Sequence, residues 1–152
     1  MAKHKVDRLI LDSYLSFIKN SLGTKMFKNF YAKVDGKNTD VMKDGWLSCA
    51  LYVSGILSMF KLIKGMHGTI DATEKDLKES GWKKISKPKP GSIIIWEKIN
   101  FGDKGIHGHI GFYIGNNQAI SNNWKMKYPV KHHWNFNNKR RVDLILWNSK
   151  LK

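Results

Sequence analysis

The stretch that most constrains this chain is an apolar run led by its only cysteine, Ser48-Cys49-Ala50-Leu51-Tyr52-Val53-Ser54-Gly55-Ile56-Leu57-Ser58-Met59-Phe60-Lys61-Leu62-Ile63. Leu, Met and Phe fall on almost every face at helical spacing. Such a helix belongs inside a protein rather than on its surface. Turn-prone residues precede it, Asp35 to Asp40 and then Asp44-Gly45. Lys64-Gly65 follows as a basic last turn and a stop. Ser48 stands at the N-cap and puts Cys49 in the first turn. There, unpaired backbone N–H groups and the positive end of the helix dipole favour a thiolate. With a base beside it, a thiolate is a nucleophile. Without one, a lone cysteine in an apolar segment is a small buried hydrophobe.

The chain has 152 residues and is read as one domain, 1–152, with an N-terminal helical segment over 1–30 and a core over 44–147. A hydrophobic content of 41% excludes a disordered polymer. One cysteine excludes an internal disulfide framework and a cysteine-built zinc cage. The formal charge of +15 points to an anionic partner: nucleic acid, an acidic membrane or an anionic wall polymer. Almost all of that charge is lysine, with only Arg8, Arg140 and Arg141 as arginines. That scarcity weighs against bidentate reading of phosphates or bases. Residues 1–8 are basic and Leu9-Ile10-Leu11 follow, but Asp12, Ser13, Ser16 and Lys19 interrupt the run. It reads neither as a signal segment nor as a membrane span. The expectation is a protein that stays in the cytoplasm or leaves by a non-classical or phage-like route.

Val6, Leu9, Ile10, Tyr14, Leu15, Phe17, Ile18 and Leu22 have helical spacing, so a helix is expected over 5–22 with Gly23 as its stop. Residues 32–47 read as a loop. Asp71 or Thr73 caps a short helix over 73–80, ended by Gly81. From residue 82 the period changes. Lys87-Pro88-Lys89-Pro90-Gly91 feeds a strand, Ser92 to Trp96. A second strand runs from His107 to Gly115, a turn falls at Asn116-Asn117, and Gln118 to Asn122 returns as its hairpin partner. Val142 to Trp147 is a last strand. Helices first and an antiparallel sheet after make an α+β layout.

Alternation puts His109, Gly111 and Tyr113 on one face of their strand. A regular hairpin with a two-residue turn sets Asn122 on the His109 face; an odd-length loop sets Ser121 or Asn123 there instead. The chain thus offers a thiol at a helix N-terminus, a histidine on a strand and a polar residue on the next strand. Those are the nucleophile, base and orienter of acyl transfer. The candidate catalytic residues are Cys49, His109 and Asn122, with the Cys49 backbone N–H as oxyanion donor. No cofactor is expected. One rival is a zinc site on His107 and His109 with His132 or His133 as a third ligand. Against it, no partners are identifiable to orient those ligands. His67 beside Gly68 reads as structural.

The cysteine at a helix start, then Pro90-Gly91-Ser92-Ile93-Ile94-Ile95-Trp96, then His109-Ile110-Gly111-Phe112-Tyr113-Ile114-Gly115, resembles the NlpC-type cysteine peptidases. Ser121-Asn122-Asn123-Trp124 is similar to the third-residue segment of the related CHAP amidases. The resemblance covers roughly residues 44–124. It implies a papain-like fold and hydrolysis of amide bonds, in peptidoglycan stem peptides or at the sugar–peptide amide. Three family positions differ. The usual Asp-Cys-Ser is Ser48-Cys49-Ala50, the Pro-Gly-Asp aspartate is Ser92, and the frequent third histidine is replaced by Ser121, Asn122 or Asn123. The expected partner is a peptide or peptidoglycan-like substrate. The alternative from another class is a non-catalytic module on the same fold that binds an anionic polymer, cell wall or nucleic acid.

Overall fold

The computed structural model describes residues 2–152. Three α-helices and eight strands follow in the order α1 (Ile10–Asn20), β1 (Tyr31–Val34), β2 (Lys37–Asp40), α2 (Cys49–Met59), α3 (Ile70–Glu79), β3 (Lys83–Lys84), β4 (Ile93–Asn100), β5 (Ile106–Gly115), β6 (Gln118–Asn123), β7 (Tyr128–His133) and β8 (Val142–Trp147). β1 and β2 form a separate ribbon. The other six make one antiparallel sheet in the order β3-β8-β4-β5-β6-β7.

The cysteine-led helix lies at the centre, as its composition demands. Ala50 to Leu57 are all buried. They pack with Ile93, Ile95, Ile110, Phe112, Ile120 and Leu146 from one face of the sheet. Tyr14 and Ile18 of α1 close the core from outside, and the Tyr14 hydroxyl donates to the Gly91 carbonyl at 2.9 Å. On the opposite face a smaller cluster, Ile94, Trp96, Tyr113 and Ala119, lies under Trp134 and Phe136. His67, buried Asp76 and the Ser54 hydroxyl tie the segment after α2 to α3. His67 Nε2 is 2.6 Å from Asp76 Oδ2, and Ser54 Oγ accepts the His67 N–H at 2.8 Å. His67 thus has a structural place.

Several boundaries differ from expectation. The first helix begins at Ile10, because residues 2–9 have no tertiary partner to bury their apolar groups; Val6 is 81% exposed. α2 ends at Met59, with Phe60 as its C-cap, rather than running on to Gly65. Lys61 takes φ +54°, its N–H reaches Ser58 O at 3.2 Å, and Leu62 N–H reaches Leu57 O at 3.0 Å. That is a Schellman stop with a lysine in the glycine's place, sealed by contact between buried Leu57 and Leu62. Thr69, not Asp71 or Thr73, caps α3, its hydroxyl accepting from Ala72 N–H at 3.2 Å. The expected loop 32–47 contains the β1–β2 hairpin, turned by Asp35-Gly36 with φ of 51° and 80°, an Asp-Gly signal of the usual kind. β7, with Pro129 and Lys131 inside it, was not expected. It is an edge strand, where a proline is tolerated.

Among the described residues, no helix is long and apolar enough to cross a membrane.

Candidate active site

The approach to Cys49 is held by a polar knot. Asp40 accepts from the N–H groups of Phe30, Met42 and Asp44 and from the Asn29 amide. Asp44 is 3.4 Å from Lys28 Nζ. Gly45, at φ +92°, passes so close to the chain that an added Cβ would sit 2.7 Å from Lys127 O. Ser48 is at the N-cap position, but its ψ of 5° aims the hydroxyl away from the helix N–H groups and it makes no capping bond. Its buried Oγ has no partner among the described residues. Backbone N–H groups of Ile110, Ala50 and Cys49 act to lower the Cys49 thiol pKa. Burial outweighs them and Arg140, and pushes the thiol above its ordinary value. The resting group is a thiol, and the thiolate favoured by helix position does not form unaided.

His109 stands on β5 and turns its ring to the face away from α2. The hairpin after it is not regular. Tyr113 pairs with Ala119 but Gly115 pairs with Gln118, so Ile114 is an extra residue, a β-bulge. Asn116 and Asn117 then turn the chain at φ of 52° and 59°. The bulge shifts β6 by one position along β5. Ser121 comes opposite Gly111, where an added Cβ would meet Ser121 Cβ at 2.7 Å. Asn122 points to the other face.

Ser121 Oγ is 2.8 Å from His109 Nε2 and 2.7 Å from His132 Nε2. His132 Nδ1 is 2.8 Å from the His133 carbonyl oxygen. A carbonyl only accepts, so His132 Nδ1 carries the proton. Burial holds His132 below its ordinary pKa, so it is neutral and its Nε2 accepts. Ser121 therefore donates to His132 and accepts from His109 Nε2–H. The lone pair of neutral His109 is left on Nδ1. His109 is kept neutral by burial first and then by the charge of Arg140, which hold it well below the usual imidazole range. The apolar cover is visible. Trp96 stacks on His109 with ring centres 5.2 Å apart, and Phe136 stacks on His132 at 4.2 Å.

Cys49, His109 and Asn122 line one open cavity of about 830 Å³, with Trp46, Trp124 and Arg140. Among the described residues, no hydrogen bond joins Cys49 to His109. Asn122 reaches the site differently from the role expected of it. Its Nδ2 donates to the Gly45 carbonyl at 2.8 Å, tying β6 to the loop before the cysteine, and the bond to His109 comes from Ser121. Asn123 accepts from Lys125 and Met126 N–H and lies outside the chain of bonds.

His107 does not converge with His109. Its Nε2 contacts the Lys104 carbonyl and its ring packs on Trp46. His133 Nδ1 accepts from Asn137 N–H at 3.2 Å. No three His, Cys, Asp or Glu side chains among the described residues are grouped to hold a metal. Arg140 lines the cavity and was not placed by sequence reasoning, while His132, expected only as a third zinc ligand, instead stands behind His109 through Ser121. An arginine pair in a lysine-rich chain is a signal that was open to view.

A family model described as bacteriophage peptidoglycan hydrolase matches residues 44–139, a span that contains Cys49, His109, Ser121, Asn122 and His132 and stops one residue short of Arg140. The fold is similar to the structure of NlpC2 from Trichomonas vaginalis, with a TM-score of 0.54 and 19% identity. That match covers 93% of this chain and 48% of the other, so this chain spans about half the length of that structure. A search of curated protein sequences finds no match.

Proposed function

The chain belongs to the bacteriophage peptidoglycan hydrolase family, and from that premise we propose that it cleaves an amide bond of peptidoglycan by thiol attack from Cys49 with His109 as base. The observation that carries the reading is the tautomer of His109. The Ser121–His132 chain of bonds protonates Nε2 and leaves Nδ1 free in a ring that lines the same cavity as the thiol.

Both groups are neutral at rest, so the ion pair is not prepaid. The Cys49 proton moves to His109 Nδ1 as sulfur attacks the substrate carbonyl carbon. The carbonyl π pair becomes an oxyanion, which the Cys49 backbone N–H meets. Collapse breaks the C–N bond, and the amine leaves with the proton from His109. Water, giving its proton to the same nitrogen, then hydrolyses the thioester. Arg140 stabilises the sulfur anion during attack, since its charge pulls the thiol pKa down. Ser121 holds the imidazole plane throughout, and Asn122 holds the loop that presents Cys49. The scissile amide is one within the stem peptide or the one joining sugar to peptide.

The test is purified peptidoglycan incubated with the protein and with Cys49→Ala. Newly released amino groups should appear with the first and not the second. Equal release from both, or none from either, removes the reading.

A further inference from the structure

Two adjacent arginines precede β8 in opposite surroundings. Arg141 is exposed and takes both nearby carboxylates, with Nε 2.9 Å from Asp143 Oδ1 and Nη1 3.7 Å from Glu97 Oε2. Arg140 is half-buried and has no carboxylate partner among the described residues. Its Nε and Nη2 donate to the Glu97 carbonyl at 3.1 and 3.0 Å, and Nη2 also to the His107 carbonyl at 3.1 Å. Three bonds to strand backbone fix the plane of the guanidinium. Nη1 has no hydrogen-bond partner among the described residues.

A guanidinium drawn out of water without a counter-ion is costly unless an anion completes it. Its free Nη1, a charged donor held in a fixed plane, suits a carboxylate oxygen. Arg140 lines the cavity that holds Cys49 and His109, and its charge acts on both. Of the other charges of the wall, Glu74 is engaged with Lys78 at 2.7 Å and Asp143 with Arg141, while Asp71 and Lys98 have no ion-pair partner among the described residues; unlike flexible Lys98, Arg140 is held in a fixed plane. Asp71, Glu74 and Asp143 in the same wall disfavour a doubly charged phosphate. One free nitrogen on a fixed fork suits a single negative charge.

We propose that Arg140 is a carboxylate-binding site inside the cavity, so that the substrate is an acidic peptide presenting a free carboxylate beside its scissile amide. This rests on the hydrolytic reading of Cys49 and His109. It goes further by naming what distinguishes a preferred peptide: the same peptide with its carboxylates converted to carboxamides binds less well.

The experiment is calorimetric titration of the full-length Cys49→Ala protein. The two ligands are the tripeptide L-Ala-γ-D-Glu-L-Lys with both carboxylates free and the same tripeptide with both amidated. The acid should bind about 10- to 100-fold tighter, the scale of one hydrogen bond to a charged group. Adding Arg140→Gln should bring the ratio to about 1, and Arg140→Lys should keep part of it. The ratio is taken within each variant, so any general loss of folding cancels. Equal affinity for the two peptides, including no binding of either, overturns the proposal. So does a preference that survives Arg140→Gln at full size. If the preference depends on Arg140 while the wild-type protein hydrolyses nothing, the carboxylate site stands and the hydrolase reading falls. If the wild type hydrolyses acid and amide alike and Cys49→Ala binds them equally, only the carboxylate site falls.

Discussion

His109 Nε2 and Ser121 Oγ lie 2.8 Å apart because β5 carries one residue more than β6 between their paired positions. Without Ile114 as the extra residue, the alternation of β6 would turn Ser121 away and bring Asn122 onto the His109 face. One bulge therefore decides which side chain orients the imidazole.

Removing that side chain should slow chemistry without loosening binding. Ser121→Ala is expected to lower kcat by about 10- to 100-fold with little change in KM. His132→Ala should act in the same direction, because Ser121 then has no acceptor to direct its proton. The two losses should be less than additive in the double variant, since they cut one chain of bonds. Additive effects, or a pure KM change, would show that the chain does not set the base.

Gly111→Ala tests the same contact from beneath. Its Cβ would meet Ser121 Cβ at 2.7 Å, Ile120 O at 2.9 Å and a Trp96 ring atom at 3.1 Å. Two of these are backbone or Cβ atoms that cannot swing aside. The variant should lose about 1–3 kcal/mol of stability in urea unfolding and should lose activity at temperatures where it remains folded. A variant with wild-type kcat would mean that the Ser121 position is not critical.

Asn122→Ala should behave differently from Ser121→Ala. The lost bond to the Gly45 carbonyl loosens the segment that leads to Cys49. About 1–2 kcal/mol of stability should go, and KM should rise more than kcat falls. A kcat loss equal to that of Ser121→Ala, at unchanged stability, would instead return Asn122 to the role of orienter.

The burial of the two histidines predicts a stability profile. His109 and His132 are both held below their ordinary value, while in the unfolded chain each titrates near about 6.5. Below that pH the unfolded chain takes up protons that the folded protein refuses. Stability is full above about 6.5 and is lost as pH falls from there through the folded values. Urea midpoints should be level at neutral pH and drop below about 6.5, and His109→Asn should soften the drop. A wild-type midpoint that is flat between about pH 7 and pH 5 would contradict the burial. The base form of His109 persists into mild acid for the same reason, so the acid limb of kcat should also lie below about 6.5.

Cys49 gives a matching result at the alkaline end. Burial raises its thiol pKa, so iodoacetamide labelling of the free protein should inflect above the ordinary value of about 8.5. Cys49→Ser should reduce turnover by at least about 10⁴-fold and move the melting temperature by no more than about 3 °C. Retained activity with a large fall in melting temperature would make Cys49 a core residue only.

Much of this was legible in the residues. The run after Ser48 is apolar on every face, and only a central helix buries all of it. β-Branched strands bounded by Gly, Pro and Asn placed β4, β5, β6 and β8 within a few residues, because local propensity and local turns carry that information. Cys49 and His109 were visible as a thiol at a helix start and a histidine on a strand. What remained invisible depended on contacts between distant segments. The bulge at Ile114 is a matter of register between strands, and it sends Ser121 rather than Asn122 to His109. β7 is an edge strand held by pairing with β6, so neither its period nor its Pro129 announces it, yet it delivers His132. The raised thiol pKa of Cys49 reverses the local preference of a helix N-terminus, because desolvation is set by everything packed around a group. Arg140 sits 91 residues beyond Cys49 in the chain, and only folding puts its charge against the same cavity. Short-range steric and hydrophobic preferences determine elements; register, burial and electrostatics are sums over the whole molecule.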